Sequence, residues 1–133
     1  MKDRGSVILI RGNRVALIKR VRDGMTFYVI PGGRIKEGES PEDATIREAF
    51  EELGVTIAIK ERVAIIEFNG GLQYYFLGEI TGGTFGTGQG KEFTQLDRKR
   101  GTFETVWMEI KDLADHDVRP REIADLLLTG SVK

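Results

Sequence analysis

The sequence predicts an α/β (α+β) fold, a mixed β-sheet flanked by helices, arranged around one acidic helix that begins at Pro41 and stops at Gly54. Three observations predict it. Apolar, β-branched runs at residues 5–11, 14–20 and 26–30 are separated by Gly-containing turns, as strands are. Runs of the same kind recur at 55–68, 72–80 and 103–109, after the acidic helix. An amphipathic segment at 120–128 closes the chain, so the order reads β-β-β-loop-α-β-β-β-α within one domain over residues 1–133.

Each element has its own signals. Gly12-Asn13 and Asp23-Gly24 provide the first two turns, and the strand at 26–30 runs straight into Pro31-Gly32-Gly33. Ser40 is an N-cap, Pro41 suits the first helical position, and Asp43 completes a capping box. Gly54 supplies the left-handed residue that ends many helices. Helical spacing groups Ile46, Ala49, Phe50 and Leu53 as an apolar face opposite the acids. Asn69-Gly70-Gly71 turns between the next two strands. Residues 81–102 form a long, glycine-rich, charged connection, a length associated with functional loops. Trp107 reads as a core aromatic, a short helical turn is expected at 111–114, and Ile123, Leu126 and Leu127 point inward from the last helix. His116, the only histidine, lies between two aspartates and reads as surface.

The chemistry concentrates on the acidic helix. Glu48, Glu51 and Glu52 lie at i, i+3 and i+4, on one helix face. Three carboxylates so placed repel one another unless a hard cation sits among them, and Mg²⁺ and Mn²⁺ prefer oxygen ligands. A solvated acidic face is the plainer alternative. Residues 33–55 also match a known pattern, G-x5-E-x7-R-E-U-x-E-E-x-G-U with U a bulky aliphatic residue, through Gly33, Glu39, Arg47, Glu48, Ala49, Glu51, Glu52, Gly54 and Val55. Ala49 is smaller than the usual aliphatic. The stretch resembles the Nudix box, and YVIPGG just before it is also similar to the family.

The resemblance implies a Nudix α/β/α sandwich that hydrolyses a nucleoside diphosphate linked to another group, using Mg²⁺ or Mn²⁺ and water. It implies Glu48, Glu51 and Glu52 as metal ligands, with a carbonyl of Gly32 or Gly33 adding an oxygen. Arg47 and Glu39 are expected to pair and fix the loop against the helix. The general base is either Glu48 in the box or Glu92 in the long loop, and Glu92 is alternatively a solvated acid. Arg20 is a candidate phosphate ligand or a solvated strand end, and Tyr28 a base-stacking residue or a core wall. Arg98, Lys99 and Arg100 either close over phosphates or are simply a wet basic run. The expected reaction takes a (deoxy)nucleoside triphosphate to a monophosphate plus pyrophosphate. Tyr74 and Tyr75 keep dinucleoside polyphosphates as an alternative, and a non-catalytic nucleotide-binding module is another.

Composition narrows the partners. With 20 basic and 21 acidic residues the net charge is −1, so no bulk field draws nucleic acid or a membrane. There is no cysteine, hence no disulfide framework. The apolar run Val7–Ile10 is too short for a signal peptide, so a cytoplasmic monomer or homodimer with a small-molecule nucleotide substrate is expected. Neither a G-x-x-x-x-G-K-[ST] loop nor a G-x-G-x-x-G fingerprint is present.

Overall fold

Val7, Ile8 and Leu9 of the first strand are buried on both faces, the mark of a strand between two layers rather than at a surface. A computed structural model describes residues 2–88 and 101–132. The strands are β1 (Arg4–Arg11), β2 (Arg14–Arg22), β3 (Met25–Val29), β4 (Gly32–Arg34), β5 (Val55–Phe68), β6 (Gly71–Gly83), β7 (Thr102–Glu109) and β8 (Val118–Arg119). The helices are α1 (Pro41–Leu53) and α2 (Arg121–Leu128), with a 3-10 turn at Ile110–Asp115. The strands follow the order β5-β6-β1-β2-β3-β8, with β4 added to β1 and β7 to β2. β1 runs parallel to β6 and β3 parallel to β8, and the other pairs are antiparallel.

β1 pairs with β6 over residues 4–9 but with β2 only at Ile10 and Arg11, so the sheet divides into two halves that curl away from each other. Alternation along the strands feeds two cores. Val7, Leu9, Ala16 and Ile18 pack with Ala49 and Leu53 of α1. Ile8, Val15 and Leu17 pack with Ile123, Ala124 and Leu127 of α2. The result is the expected mixed sheet between helices.

Three details differ from the sequence reading. β4 and β8 were not anticipated, because Gly-Gly-Arg and a two-residue strand carry almost no β-propensity. They pair because β1 and β3 each offer an open edge. β6 continues to Gly83, where Val55 and Thr56 extend its ladder. Most consequential is the roll of α1: Ile46 and Phe50 are 36% and 58% exposed, whereas Thr45, Ala49, Glu52 and Leu53 are buried. The helix turns part of its acidic face inward and gives up apolar burial to do so.

Candidate active site

The roll of α1 follows from what lies beside it. β4 leaves a floor without side chains at Gly32 and Gly33, and the carboxylates occupy that space. Glu52 is only 6% exposed, and its Oε1 accepts a 2.7 Å hydrogen bond from the Gly32 amide. The Glu48 carboxyl rests against Gly33, where any Cβ would overlap it. A buried carboxylate needs such partners, since leaving it unpaired costs several kcal/mol, roughly. The helix is set in place at both ends: the Asp43 amide donates to Ser40 Oγ at 3.0 Å, and Gly54 adopts φ +79°.

Arg47 gathers the remaining acids. Its Nε and Nη2 donate to the two oxygens of Glu39 at 2.8 and 2.9 Å, a bidentate fork. Nη1 donates to Glu48 Oε1 at 2.7 Å and to Glu51 Oε2 at 3.1 Å, and Nη2 also reaches the Arg34 carbonyl at 3.0 Å. The hydrogen bonds from Arg47, then the Lys36 amide, lower the Glu39 carboxyl to about 2. Reciprocally, Glu39 holds the Arg47 guanidinium above its ordinary range. Gly32, Gly33, Glu39, Arg47, Glu48, Glu51 and Glu52 are thereby drawn into one cluster. Among the described residues, however, no three acid or histidine side chains converge as a metal cage. The reason is visible in the hydrogen bonds, because Arg47 takes an oxygen from each of Glu48 and Glu51. The Gly32 carbonyl accepts from Arg4 Nη2 at 3.3 Å.

The NUDIX domain sequence model matches residues 1–127, nearly the whole chain. The chain belongs to the Nudix family. Among curated relatives, a Bacillus subtilis protein provisionally named 8-oxo-dGTP diphosphatase is 34% identical over 80 residues, 58% of this chain and 52% of that protein. An RNA pyrophosphohydrolase of Psychromonas ingrahamii is 42% identical over 48 residues, 36% of this chain and 26% of its own length. The chain thus spans about half of the first relative and about a quarter of the second. A structure of MutT from a study of Aliivibrio salmonicida and Vibrio cholerae superposes with a TM-score of 0.71 at 20% identity, covering 96% of this chain and 95% of that one. An ADP-ribose pyrophosphatase of Streptococcus suis gives 0.71 at 20% identity, covering 99% and 92%. At that identity the structures speak for the Nudix fold.

Beside the acid cluster of this Nudix domain lies a cleft of about 510 Å³. Arg4 and Ser6 form its floor, Phe27, Phe68 and Tyr75 contribute aromatic walls, and Arg119 closes one side. Ser6 is the ladder partner of Gly32, which ties the cleft to the carboxylates. Tyr28, read as either a base-stacking residue or a core wall, does not line the cleft. It packs into the core on the α2 side and meets His116 edge-on at 5.3 Å. Phe27, one residue earlier, faces the cleft instead, since neighbouring strand residues point to opposite faces. Arg20 lies across the sheet from Phe27 and Phe103, its guanidinium 3.7 Å from the Phe103 ring centroid and 5.6 Å from that of Phe27. Arg119 covers Phe27 at 4.0 Å and is itself held by Asp117 at 2.8 Å. Arg and Phe thus alternate across β7, β2, β3 and β8, a row legible only once strand register is known. Glu92, Arg98, Lys99 and Arg100 lie outside the described residues. The segment leading towards them is anchored at the end of α1, where the Gly86 amide donates to Leu53 O at 2.9 Å. No helix among the described residues is long and apolar enough to cross a membrane.

Proposed function

We propose that this Nudix domain hydrolyses a phosphoanhydride bond of a (deoxy)nucleoside triphosphate, giving a monophosphate and pyrophosphate, with Mg²⁺ or Mn²⁺ as cofactor. The observation that carries the reading is the placement of Glu48 and Glu52 against the side-chain-free Gly32-Gly33 segment, beside a cleft of nucleoside size. The donor set is oxygen throughout, which suits a hard divalent cation. Glu48, Glu51, Glu52 and the Gly32 carbonyl would hold the ion, with Glu48 and Glu51 turning from Arg47 towards it. When bound, such an ion polarises a phosphoryl oxygen and lowers the pKa of water.

The chain's own residues do the rest. Arg47, kept by Glu39 and the Arg34 carbonyl, orients the helix acids. Glu48, or Glu92 from the long loop, takes the proton of the attacking water. Arg119, backed by the Phe27 ring, offers a flat surface to a base, and Arg20 a cation to the phosphates. No cysteine exists and the one histidine lies against Tyr28, so water attacks phosphorus directly rather than through a phospho-enzyme. The protein is proposed to work as a cytoplasmic monomer or homodimer.

The test is turnover of nucleoside triphosphates, dinucleoside polyphosphates, ADP-ribose and sugar nucleotides, with Mg²⁺ and with chelator, in ¹⁸O-labelled water. Label in one phosphorus of a monophosphate–pyrophosphate pair, lost on chelation, is the expected result. A trapped phospho-protein, or binding of every nucleotide without turnover, would overturn it. Selective turnover of dinucleoside polyphosphates would instead favour the reading suggested by Tyr74 and Tyr75.

A further inference from the structure

We propose that Gly5, which lies outside the Nudix box, is a positioning residue that sets how closely α1 approaches β1 and β4, and so where the Glu48 carboxylate sits. The inference rests on the metal-site reading above. Gly5 and Gly33 are direct partners in the β1–β4 ladder, so two glycines form a flat patch under the helix. Each meets α1 at a different turn. A Cβ at Gly5 would overlap Thr45 Oγ1 and come within 2.9 Å of the Pro41 carbonyl and 3.3 Å of the Thr45 amide. A Cβ at Gly33 would overlap the Glu48 carboxyl. Thr45 and Glu48 are three residues apart and share a helix face, so whatever lifts one shifts the other.

Thr45 has no easy escape. It is 1% exposed, and its hydroxyl donates to the Pro41 carbonyl at 2.8 Å. Turning away would break that bond inside the core. The Pro41 carbonyl is backbone and cannot rotate aside. A methyl at Gly5 therefore moves the helix, by on the order of 1 Å to restore ordinary contact distances. A displacement of that size at a reacting centre costs roughly 10²-fold in rate, and loss of ligand orientation costs roughly 10–100-fold in metal affinity.

Gly71 provides a comparison that separates positioning from plain destabilisation. A Cβ there would run into the Lys2 backbone, a crowding similar to that at Gly5, but with the crowding atoms on Lys2 rather than on α1. The experiment measures binding of Mn²⁺ alone, by electron paramagnetic resonance of the free ion, together with thermal unfolding, kcat and KM. The proteins are wild type, Gly5→Ala, Thr45→Ala, Gly5→Ala/Thr45→Ala and Gly71→Ala. Gly5→Ala should weaken Mn²⁺ binding about tenfold or more and lower kcat about 10²-fold with little change in KM. Gly71→Ala should lose stability while keeping wild-type Mn²⁺ affinity. The double variant should recover part of the affinity, because the hydroxyl that meets the methyl is gone. Folded Gly5→Ala with Mn²⁺ affinity within about twofold of wild type overturns the proposal, as does an equal loss in Gly71→Ala. Should Gly5→Ala fail to fold, the double variant is compared with Thr45→Ala: weaker Mn²⁺ binding supports the proposal, because the Pro41 contact remains, and equal binding overturns it. Wild-type protein that binds no Mn²⁺ overturns the metal reading itself, a result independent of any variant.

Discussion

Replacing Arg47 by Gln tests whether one guanidinium sustains the acid cluster. The substitution removes the Arg47 contacts to Glu39, Glu48 and Glu51 and to the Arg34 carbonyl, and with them the guanidinium that the three neighbouring carboxylates share. The Glu48 contact is the best sheltered of the three, because only 12% of that side chain is exposed and the bond is 2.7 Å. The Glu51 contact counts little, since 41% of that side chain is exposed and solvent screens it. A hydrogen bond to a charged group contributes about 1.5–3 kcal/mol, from which freeing the long side chain returns part. The expected loss without metal is therefore about 1–2 kcal/mol, a fall in Tm of roughly 3–8 °C for a chain of this size. Calorimetry in EDTA reads this directly. A second scan with saturating Mg²⁺ is more telling, because a ligand that binds only the folded state stabilises it by about 2.7 kcal/mol at a hundred times Kd. With Arg47 no longer competing for Glu48 and Glu51, the gain in Tm on adding Mg²⁺ should be larger in the variant than in wild type. Arg47→Lys, which keeps the charge and loses the fork, should fall between. A metal-free Tm within about 1 °C of wild type would refute the energetic role of the network, and equal Mg²⁺ gains would refute its competition with the cation.

Three further outcomes are expected. Glu52→Gln keeps the shape that accepts the Gly32 amide but loses charge, so turnover should fall by about 10²–10⁴-fold while the fold survives; unchanged turnover in the folded variant removes Glu52 from the site. Glu48→Gln should cost more than Glu92→Gln, whereas a larger loss in Glu92→Gln with metal affinity intact makes the loop acid the base, a role contributing roughly 10²–10⁴-fold. Glu39 has its carboxyl lowered from 4.5 to about 2 by Arg47, so its stabilisation is present above 4.5 and lost as the pH falls towards 2. In chelator, wild type should lose Tm across that window more steeply than Glu39→Gln, and parallel curves would contradict the assignment.

How much of this was legible in advance follows the range of the forces involved. The helix from Ser40 to Gly54 was readable because caps, proline and a left-handed glycine act within a few residues. The spacing of Glu39, Arg47, Glu48, Glu51 and Glu52 is likewise local, and it carried the family and the class of chemistry. Strand runs were readable from their apolar, β-branched composition and the turns between them. The rotation of α1 was not readable. Taken alone, Ile46, Ala49, Phe50 and Leu53 make the better apolar face, and only the glycine floor of β4, formed by pairing with a strand some thirty residues earlier, turns Glu52 inward instead. Nor could the sequence choose between Phe27 and Tyr28, because a strand offers both faces and only its partners decide which one meets the cleft. Local chemistry in the chain determined which residues are candidates for the site. Pairing between distant strands decided how they are aimed, since that depends on contacts whose partners no short stretch of sequence contains.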